Sequence, residues 1–391
     1  MRLFFLIGIL LSVMVLGIVR HAESIRYLLA MQLPQAHHCN DAVSPEIQNL
    51  LQQFHQMGFP GGQVSFLPAN APELHCSFGW HSQGLLPRKV QTGDSFRYAS
   101  LSKVLTALTA FTLIEQERIT LSTPLLELVA LPGYFSDDQI PLITIKHLLS
   151  HQAGFDRAIA GDPMLDIEPW CPAEISTLQS IALNFPPGDK MVYSNLGYCL
   201  LGLGMANLSQ QPLEHLIRET LLLADSPSIQ PILSGQSHDN EVGYFFDSPD
   251  SKAALLQLNY NAKLASGGWM GTATELSLLI QQHLPLLYKY EHIASSDDYM
   301  KGCDAKIWRN CHGLVFYKYD TTDDNIIHFW RDGSLPGVTA FTIVTTQGDV
   351  LVMLGNYRPY HWLPHNDRLG LLLSQILSHA ATKQADTSRN Q

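Results

Sequence analysis

Two periods of hydrophobic alternation divide this chain. Apolar residues alternate with polar ones toward its two ends and recur at helical spacing in its middle. Near the start, residues 63–67 and 75–80 alternate on either side of a proline-bounded loop over 68–72, which predicts a hairpin. Toward the end, residues 313–319, 325–330, 338–345 and 349–354 predict four strands joined by short turns. In between, Val104, Leu105, Leu108, Phe111 and Ile114 predict a long helix over 100–117. Shorter helices are expected over 45–57, 145–149, 196–207 and 274–283, the last opening at Thr274, and a closing helix over 367–378. Residues 185–188, Phe-Pro-Pro-Gly, read as a turn, and residues 242–246 as strand-like.

Strands at both ends with helices between them imply an α/β (α+β) fold. Sequence-distant strands share one antiparallel sheet flanked by helices, and a mostly helical lobe is inserted between them. The expected divisions are a leading segment over 1–24, a stalk over 25–43, a domain over 44–378 and a loose polar tail over 379–391. Within the domain, 44–117 with 256–378 makes the α/β lobe and 118–255 the helical lobe.

The leading segment bears on location. Arg2 precedes an apolar run over 3–19, broken only by Gly8, Ser12 and Gly17, and Arg20, His21, Glu23 and Arg26 follow. That is an export signal or a single short membrane helix. No clean small-x-small cleavage site precedes Arg20, which favours an uncleaved inner-membrane anchor with a periplasmic body; cleavage would make the body secreted or periplasmic. The rest of the chain holds no other plausible span. Six cysteines are then compatible with disulfides. Cys303 and Cys311 are close enough to staple a local loop, Cys39 with Cys76 is a weaker pairing, and Cys199, in an apolar helical stretch, reads as a buried thiol. The absence of CxxC argues against a thioredoxin-like site or a zinc knuckle.

Charge removes one class of partner. The formal net charge is −11, Lys and Arg total 24, and no basic run occurs, so nucleic acid is not expected to bind. At 391 residues and 46% hydrophobic composition, the chain can bury a large core.

Three short segments carry candidate chemistry. In Ser100-Leu-Ser-Lys103 a hydroxyl and an amine three residues apart share a helix face. The amine can take a proton only where burial or nearby charge lowers its pKa. In Tyr193-Ser-Asn195 a phenol could relay a proton, and an amide could hold a substrate carbonyl and a lysine at once. In Arg331-Asp-Gly-Ser-Leu-Pro-Gly337, between two expected strands, glycines admit a substrate close to a strand edge, and a backbone N–H could join that of Ser100 in an oxyanion hole. Each segment alone is weak, since such residues fall at such spacings by chance. His147 and His151 are four apart, but no third zinc ligand or HExxH pattern accompanies them. Trp330, Tyr357, Tyr360 and Trp362 could line a pocket mouth or belong to the core.

Together, in this order, the segments resemble the serine beta-lactamase and penicillin-binding-protein superfamily. The likeness is to its class C beta-lactamase, D-alanyl-D-alanine carboxypeptidase and beta-lactamase-like esterase branch. It is carried by Phe96-Arg-Tyr-Ala-Ser-Leu-Ser-Lys103, Ile143-Thr-Ile-Lys-His-Leu-Leu-Ser-His151 with Gly154, Phe185-Pro-Pro-Gly188 through Tyr193-Ser-Asn-Leu-Gly-Tyr198, Ala265-Ser-Gly-Gly268 with Thr272, Gly333-Ser-Leu-Pro-Gly337 and Asn356. The resemblance implies a beta-lactamase-like fold and an acyl-enzyme on Ser100. Lys103 and Tyr193 would share the proton transfers, Asn195 would orient substrate and Lys103, and the N–H groups of Ser100 and Ser334 would hold the oxyanion. It implies no cofactor and no metal, and it places His147 and His151 in a structural segment. Its substrates are small molecules, peptidoglycan-like peptides or esters.

One position departs from the pattern. The family's third motif begins with Lys or His, then any residue, then Gly, where this chain has Arg331, Asp332 and Gly333. Arg331 keeps a charge that a substrate carboxylate would seek, and Asp332 beside it could draw that charge away. The expectation is therefore a serine hydrolase with Arg331 and Gly333 at the substrate. A carboxylesterase of the same fold and a non-catalytic binding or regulatory envelope protein are the alternatives.

Overall fold

The computed structural model describes residues 22–41, 45–82, 87–294, 302–321 and 326–389. The apolar run over 3–19 and its neighbours Arg2, Arg20 and His21 lie outside the described residues. Among those described, no helix is long and apolar enough to cross a membrane.

Twelve strands follow in chain order among the described residues: β1 (His37–Cys39), β2 (Gly61–Leu67), β3 (Leu74–His81), β4 (Arg88–Lys89), β5 (Phe96–Arg97), β6 (Gln230–Pro231), β7 (Trp269–Gly271), β8 (Cys311–His312), β9 (Tyr317–Asp320), β10 (Ile327–Leu335), β11 (Val338–Thr345) and β12 (Val350–Gly355). The helices are α1 (22–32), α2 (Pro45–Gln56), α3 (Ser102–Glu115), α4 (Leu125–Val129), α5 (Ile145–Leu149), α6 (Arg157–Ala160), α7 (Asn195–Ser209), α8 (Leu213–Thr220), α9 (Pro249–Gln257), α10 (Leu264–Gly267), α11 (Ala273–Gln282), α12 (Leu284–Ala294) and α13 (Trp362–Arg389).

The large sheet is antiparallel and runs β1-β3-β2-β12-β11-β10-β9-β8, with β4 added on β3. Its strands thus come from both ends of the chain, as the alternation predicts, and β2 pairs directly with β12 from Gly62↔Gly355 to Leu67↔Val350. Period-two side chains feed two cores. Val350, Val352 and Leu354 of β12 pack with the core around α3, while Leu351 and Met353 pack with Phe54 of α2 and Leu369 and Leu373 of α13. A second, three-stranded sheet has the order β5-β7-β6. Helix α3 lies at the centre: from Ser102 to Phe111 every residue is buried, so it has no solvent face to make it amphipathic.

Several boundaries differ from expectation. The segment expected as a stalk packs on the body. Tyr27 of α1 stacks on Tyr357 at 4.2 Å and β1 extends the sheet along β3, while Glu23, from the end of the expected leading segment, pairs with Lys252 at 2.9 Å. Residues 242–246 are extended but form no strand. Their backbone groups go singly to different partners, Val242 N to Ser95 O and Phe245 N to Asn356 O. Helix α11 begins at Ala273, one residue earlier than expected, and is capped by Thr272, whose hydroxyl accepts the Glu275 N–H. The closing helix α13 continues through 389, so residues 379–389, expected as a loose tail, are helical. Cys199 is no thiol: it is bonded to Cys171, and the structure also pairs Cys39 with Cys76 and Cys303 with Cys311.

Candidate active site

Ser100 stands where an edge strand turns into the buried central helix. At the end of β5, Arg97 is buried against Glu241, 2.6 Å from its carboxylate, with its guanidinium over the Tyr260 ring. From that anchor the chain passes through Tyr98, whose hydroxyl donates to Thr272 O at 3.0 Å, and through Ala99, whose φ is 48°. A left-handed φ on a residue with a Cβ costs about 1–3 kcal/mol. It makes the sharp bend that leaves Ser100 at the wall of a cavity while Ala99 and Leu101 are buried. Residues Ala99–Leu101 form a 3-10 turn, so α3 begins at Ser102, two residues later than the apolar spacing predicts.

Strand β10 closes on this turn. A Cβ at Gly333 would lie 2.4 Å from Tyr98 O and 3.1 Å from Ser100 N, so only glycine lets the two backbones meet. The strand runs on through Leu335, which places Arg331, Gly333 and Ser334 inside it rather than in a turn. Ser334 lines the same cavity as Ser100.

Tyr193 and Asn195 arrive from the mostly helical stretch between β5 and β6. Gly188, with φ 87°, turns the chain so that Gly188 N donates to Gln152 O and Val192 N to His151 O. Ser194 then caps α7 by accepting from Gly197 N at 3.1 Å, which puts Asn195 in the first turn and Tyr193 just before it. The Tyr193 hydroxyl lies 2.5 Å from Ser100 Oγ.

Lys103 is fully buried beneath these groups. Its Nζ lies 2.6 Å from Ser266 O, 2.7 Å from Asn195 Oδ1 and 3.3 Å from Ser100 Oγ. Burial, then the positive charges of Arg331, Lys263 and Arg157, hold its amine well below the ordinary lysine range, while Asp162 pulls the other way. A neutral amine has two N–H groups and one lone pair. In that form the two nearest acceptors, Ser266 O and Asn195 Oδ1, would take the N–H groups and leave the lone pair toward Ser100.

Arg331 lies against the nucleophile turn at the cavity wall. It is 1% exposed, and it is engaged by the protein itself. Nε donates to Ser100 O at 3.0 Å, Nη1 donates to Val315 O and reaches His312 Nε2 at 3.4 Å, and Nη2 lies 3.4 Å from His151 Nε2. The guanidinium therefore braces the nucleophile turn, and it also lines the cavity beside Ser100. Asp332 does not draw off its charge. Successive strand residues face opposite ways, and Asp332 instead pairs with Arg309 at 3.0 Å and with Asn366. Gly333 likewise serves the approach of the chain's own turn.

The cavity measures about 780 Å³, and its lining includes Ser100, Tyr193, Asn195, Ser334, Asp162 and Lys263. Lys263 is 3% exposed, and burial pushes it down to about 8 against the pull of Asp162 and Asp166. Asp162 and Lys263 carry no signal in the sequence, an Asp before a Pro reading as a turn, whereas Ser266 falls in the motif segment Ala265-Ser-Gly-Gly268 without its carbonyl being marked as a lysine partner. His312 was also hidden, and His151, expected in a structural segment, stands against the site. His312 donates Nδ1–H to Gly313 O and is pushed down to about 3, first by burial and then by Arg331. His147 caps α5 with Thr144, whereas His151 lies at the floor of the site, its ring 4.5 Å from that of Tyr193. Of the four aromatics, Trp330 is buried and stacked on Trp308, Tyr357 stacks on Tyr27, Tyr360 is exposed, and Trp362 lines the cavity. Among the described residues, no group of three or more His, Cys, Asp or Glu side chains is placed to hold a metal ion.

Comparison with known proteins gives three kinds of match. The sequence profile of the beta-lactamase family matches residues 47–363. A fimbrial assembly protein of Dichelobacter nodosus, FimD of serogroup D, is 28% identical over 314 residues, spanning 78% of this chain and 77% of the relative. Among solved structures, a beta-lactamase/D-alanine carboxypeptidase from Yersinia pestis superposes with a TM-score of 0.67 at 18% identity, covering 84% of this chain and 98% of the other. The D-amino acid amidase of Ochrobactrum anthropi SV3 does so with a TM-score of 0.67 at 16% identity, covering 87% and 98%. These superpositions show a shared fold.

Proposed function

This chain belongs to the beta-lactamase family, and we propose that it is a serine hydrolase that opens amide or ester bonds through an acyl group carried on Ser100. The observation that carries this reading is Ser100 Oγ lying 2.5 Å from Tyr193 Oη and 3.3 Å from a buried Lys103 amine, at the wall of a cavity.

The steps follow from that geometry. As Ser100 Oγ attacks the substrate carbonyl carbon, its proton passes to the Lys103–Tyr193 pair. We assign the developing oxyanion to the N–H groups of Ser100 and Ser334. When the bond to the leaving nitrogen or oxygen breaks, Tyr193 returns the proton to that atom, leaving an acyl ester on Ser100. A water molecule then gives its proton to the same pair and attacks the ester. Ser100 recovers a proton as the acid departs, so the site ends as it began. No cofactor enters the cycle.

Substrates without a carboxylate anchor suit this site, because Arg331 is bound to Ser100 O and Val315 O. That favours an esterase or amidase over a beta-lactamase. Pairing of all six cysteines supports an oxidising compartment, with residues 3–19 as signal or anchor, and that compartment would bring peptidoglycan-like peptides within reach.

Intact-protein mass spectrometry tests the reading. The body, residues 22–391, is incubated with a fluorophosphonate, a penicillin or p-nitrophenyl acetate, beside Ser100→Ala. A fluorophosphonate adduct and ester turnover, both lost in Ser100→Ala, are expected, with little or no penicillin adduct. A stable penicillin adduct on Ser100 would return Arg331 to the substrate. No Ser100-dependent adduct or turnover in folded protein would leave a binding or assembly role, of the kind the name of the Dichelobacter relative describes.

A further inference from the structure

Asn195 ends in two groups of nearly equal size, a carbonyl oxygen and an amino group, and nothing in the residue itself decides which faces Lys103. The choice matters for the reaction. With Oδ1 toward the lysine, at 2.7 Å, it accepts one of the amine's protons and helps leave the lone pair for Ser100. With the amide turned over, donor would face donor.

The group that decides sits on the other side. Asn195 Nδ2 donates to Asp162 Oδ2 at 2.6 Å, and an ionised carboxylate accepts hydrogen bonds without donating any. Asp162 is itself fixed, because its Oδ1 accepts from Met164 N at 3.1 Å and caps the 3-10 turn Pro163–Leu165. It is half-buried in the cavity wall with Asn195 and Ser100. The hydrogen bonds therefore run unbroken from Asp162 through Asn195 and Lys103 to Ser100.

We propose that Asp162 is a positioning residue of this site: its carboxylate holds the Asn195 amide with Oδ1 toward Lys103, and through it aims the lysine at the nucleophile. The proposal rests on the serine hydrolase reading. Asp162 also acts through its charge. Around Lys103 stand Arg331 from β10, Lys263 ahead of α10, Arg157 from α6, Tyr193 and Tyr198 at α7, His151 after α5 and His312 from β8. Asp162 is the carboxylate in that set, and it favours the protonated amine.

Three variants separate positioning from capping. Asp162→Ser keeps an oxygen that can cap Met164 N but cannot reach Asn195. Asp162→Asn keeps the size and loses the charge, and its own amide can turn. Asp162→Ala loses everything. For a p-nitrophenyl ester, all three are expected to lose about tenfold to a hundredfold in kcat, as a displaced catalytic group does. KM should change much less. Loss of the carboxylate should also move the acid limb of the kcat/KM profile to lower pH, because the remaining charges favour the neutral amine. Thermal unfolding should rank Asp162→Ser above Asp162→Ala, since only the former keeps the cap. Wild-type kcat and an unmoved acid limb in Asp162→Ser would overturn the proposal while leaving the hydrolase reading intact. Absence of Ser100-dependent turnover in the wild type would overturn both.

Discussion

At the scale of single residues, Arg331 shows how one position can be legible and its task hidden. The motif order locates it, because Gly333 two residues on sets the register. Its partners are supplied by Ser100, His151, His312 and Val315, from three other parts of the chain, and no local pattern points to them. These internal contacts make a prediction. Arg331→Lys replaces a planar fork by a point charge that cannot serve Ser100 O and Val315 O together. Leaving a buried carbonyl without a donor costs about 1–3 kcal/mol, so the variant should unfold at a lower temperature. It should also acylate Ser100 more slowly with neutral and carboxylate-bearing esters alike. An unchanged melting temperature, with only the KM for carboxylate-bearing esters raised, would mean that Arg331 meets substrate after all. Asp162 is the opposite case: its position carries no motif, and only its distance to Asn195 gives it a role.

At the scale of elements, the strands were the most legible part, and their ends the least. β11 matches its expected span, because eight consecutive residues are buried and alternate between two cores. β10 overruns its expected end by five residues: polar Arg331 and Asp332 look like a turn, yet Arg331 is hydrogen-bonded to Ser100 O and Val315 O and Asp332 is paired with Arg309. Helix α7 shows a second kind of hidden contact. Its apolar stretch accounts for burial of Cys199, but not for the bond to Cys171, which lies in the loop-rich part of the helical lobe. That bond closes a loop across 28 residues and ties it to the helix that presents Asn195. Chain entropy alone gives such a crosslink about 3–4 kcal/mol. Replacing both cysteines with alanine should therefore lower the urea midpoint and, by loosening α7, slow labelling of Ser100. If labelling keeps its rate while stability falls, the bond serves the lobe and not the site.

At the scale of the whole molecule, the export proposed above makes a prediction that the three disulfides allow to be checked. The full chain should be recovered from the envelope fraction with all six cysteines oxidised, counted by alkylation under denaturing conditions. Recovery from the cytosol with free thiols would contradict export. The fold class was readable at this scale because alternation at both ends demands a shared sheet. Sheet order was not, since nothing local says that β2 pairs with β12. That pairing also sets a timetable for biosynthesis. Strand β2 is made early, and its partner β12 begins roughly 280 residues later. At synthesis rates of about 5–20 residues per second, the delay is on the order of 15–60 s. Through that interval the edge of β2 that β12 will cover has no native neighbour, and an uncovered strand edge of this kind is a template for wrong pairing until β12 emerges.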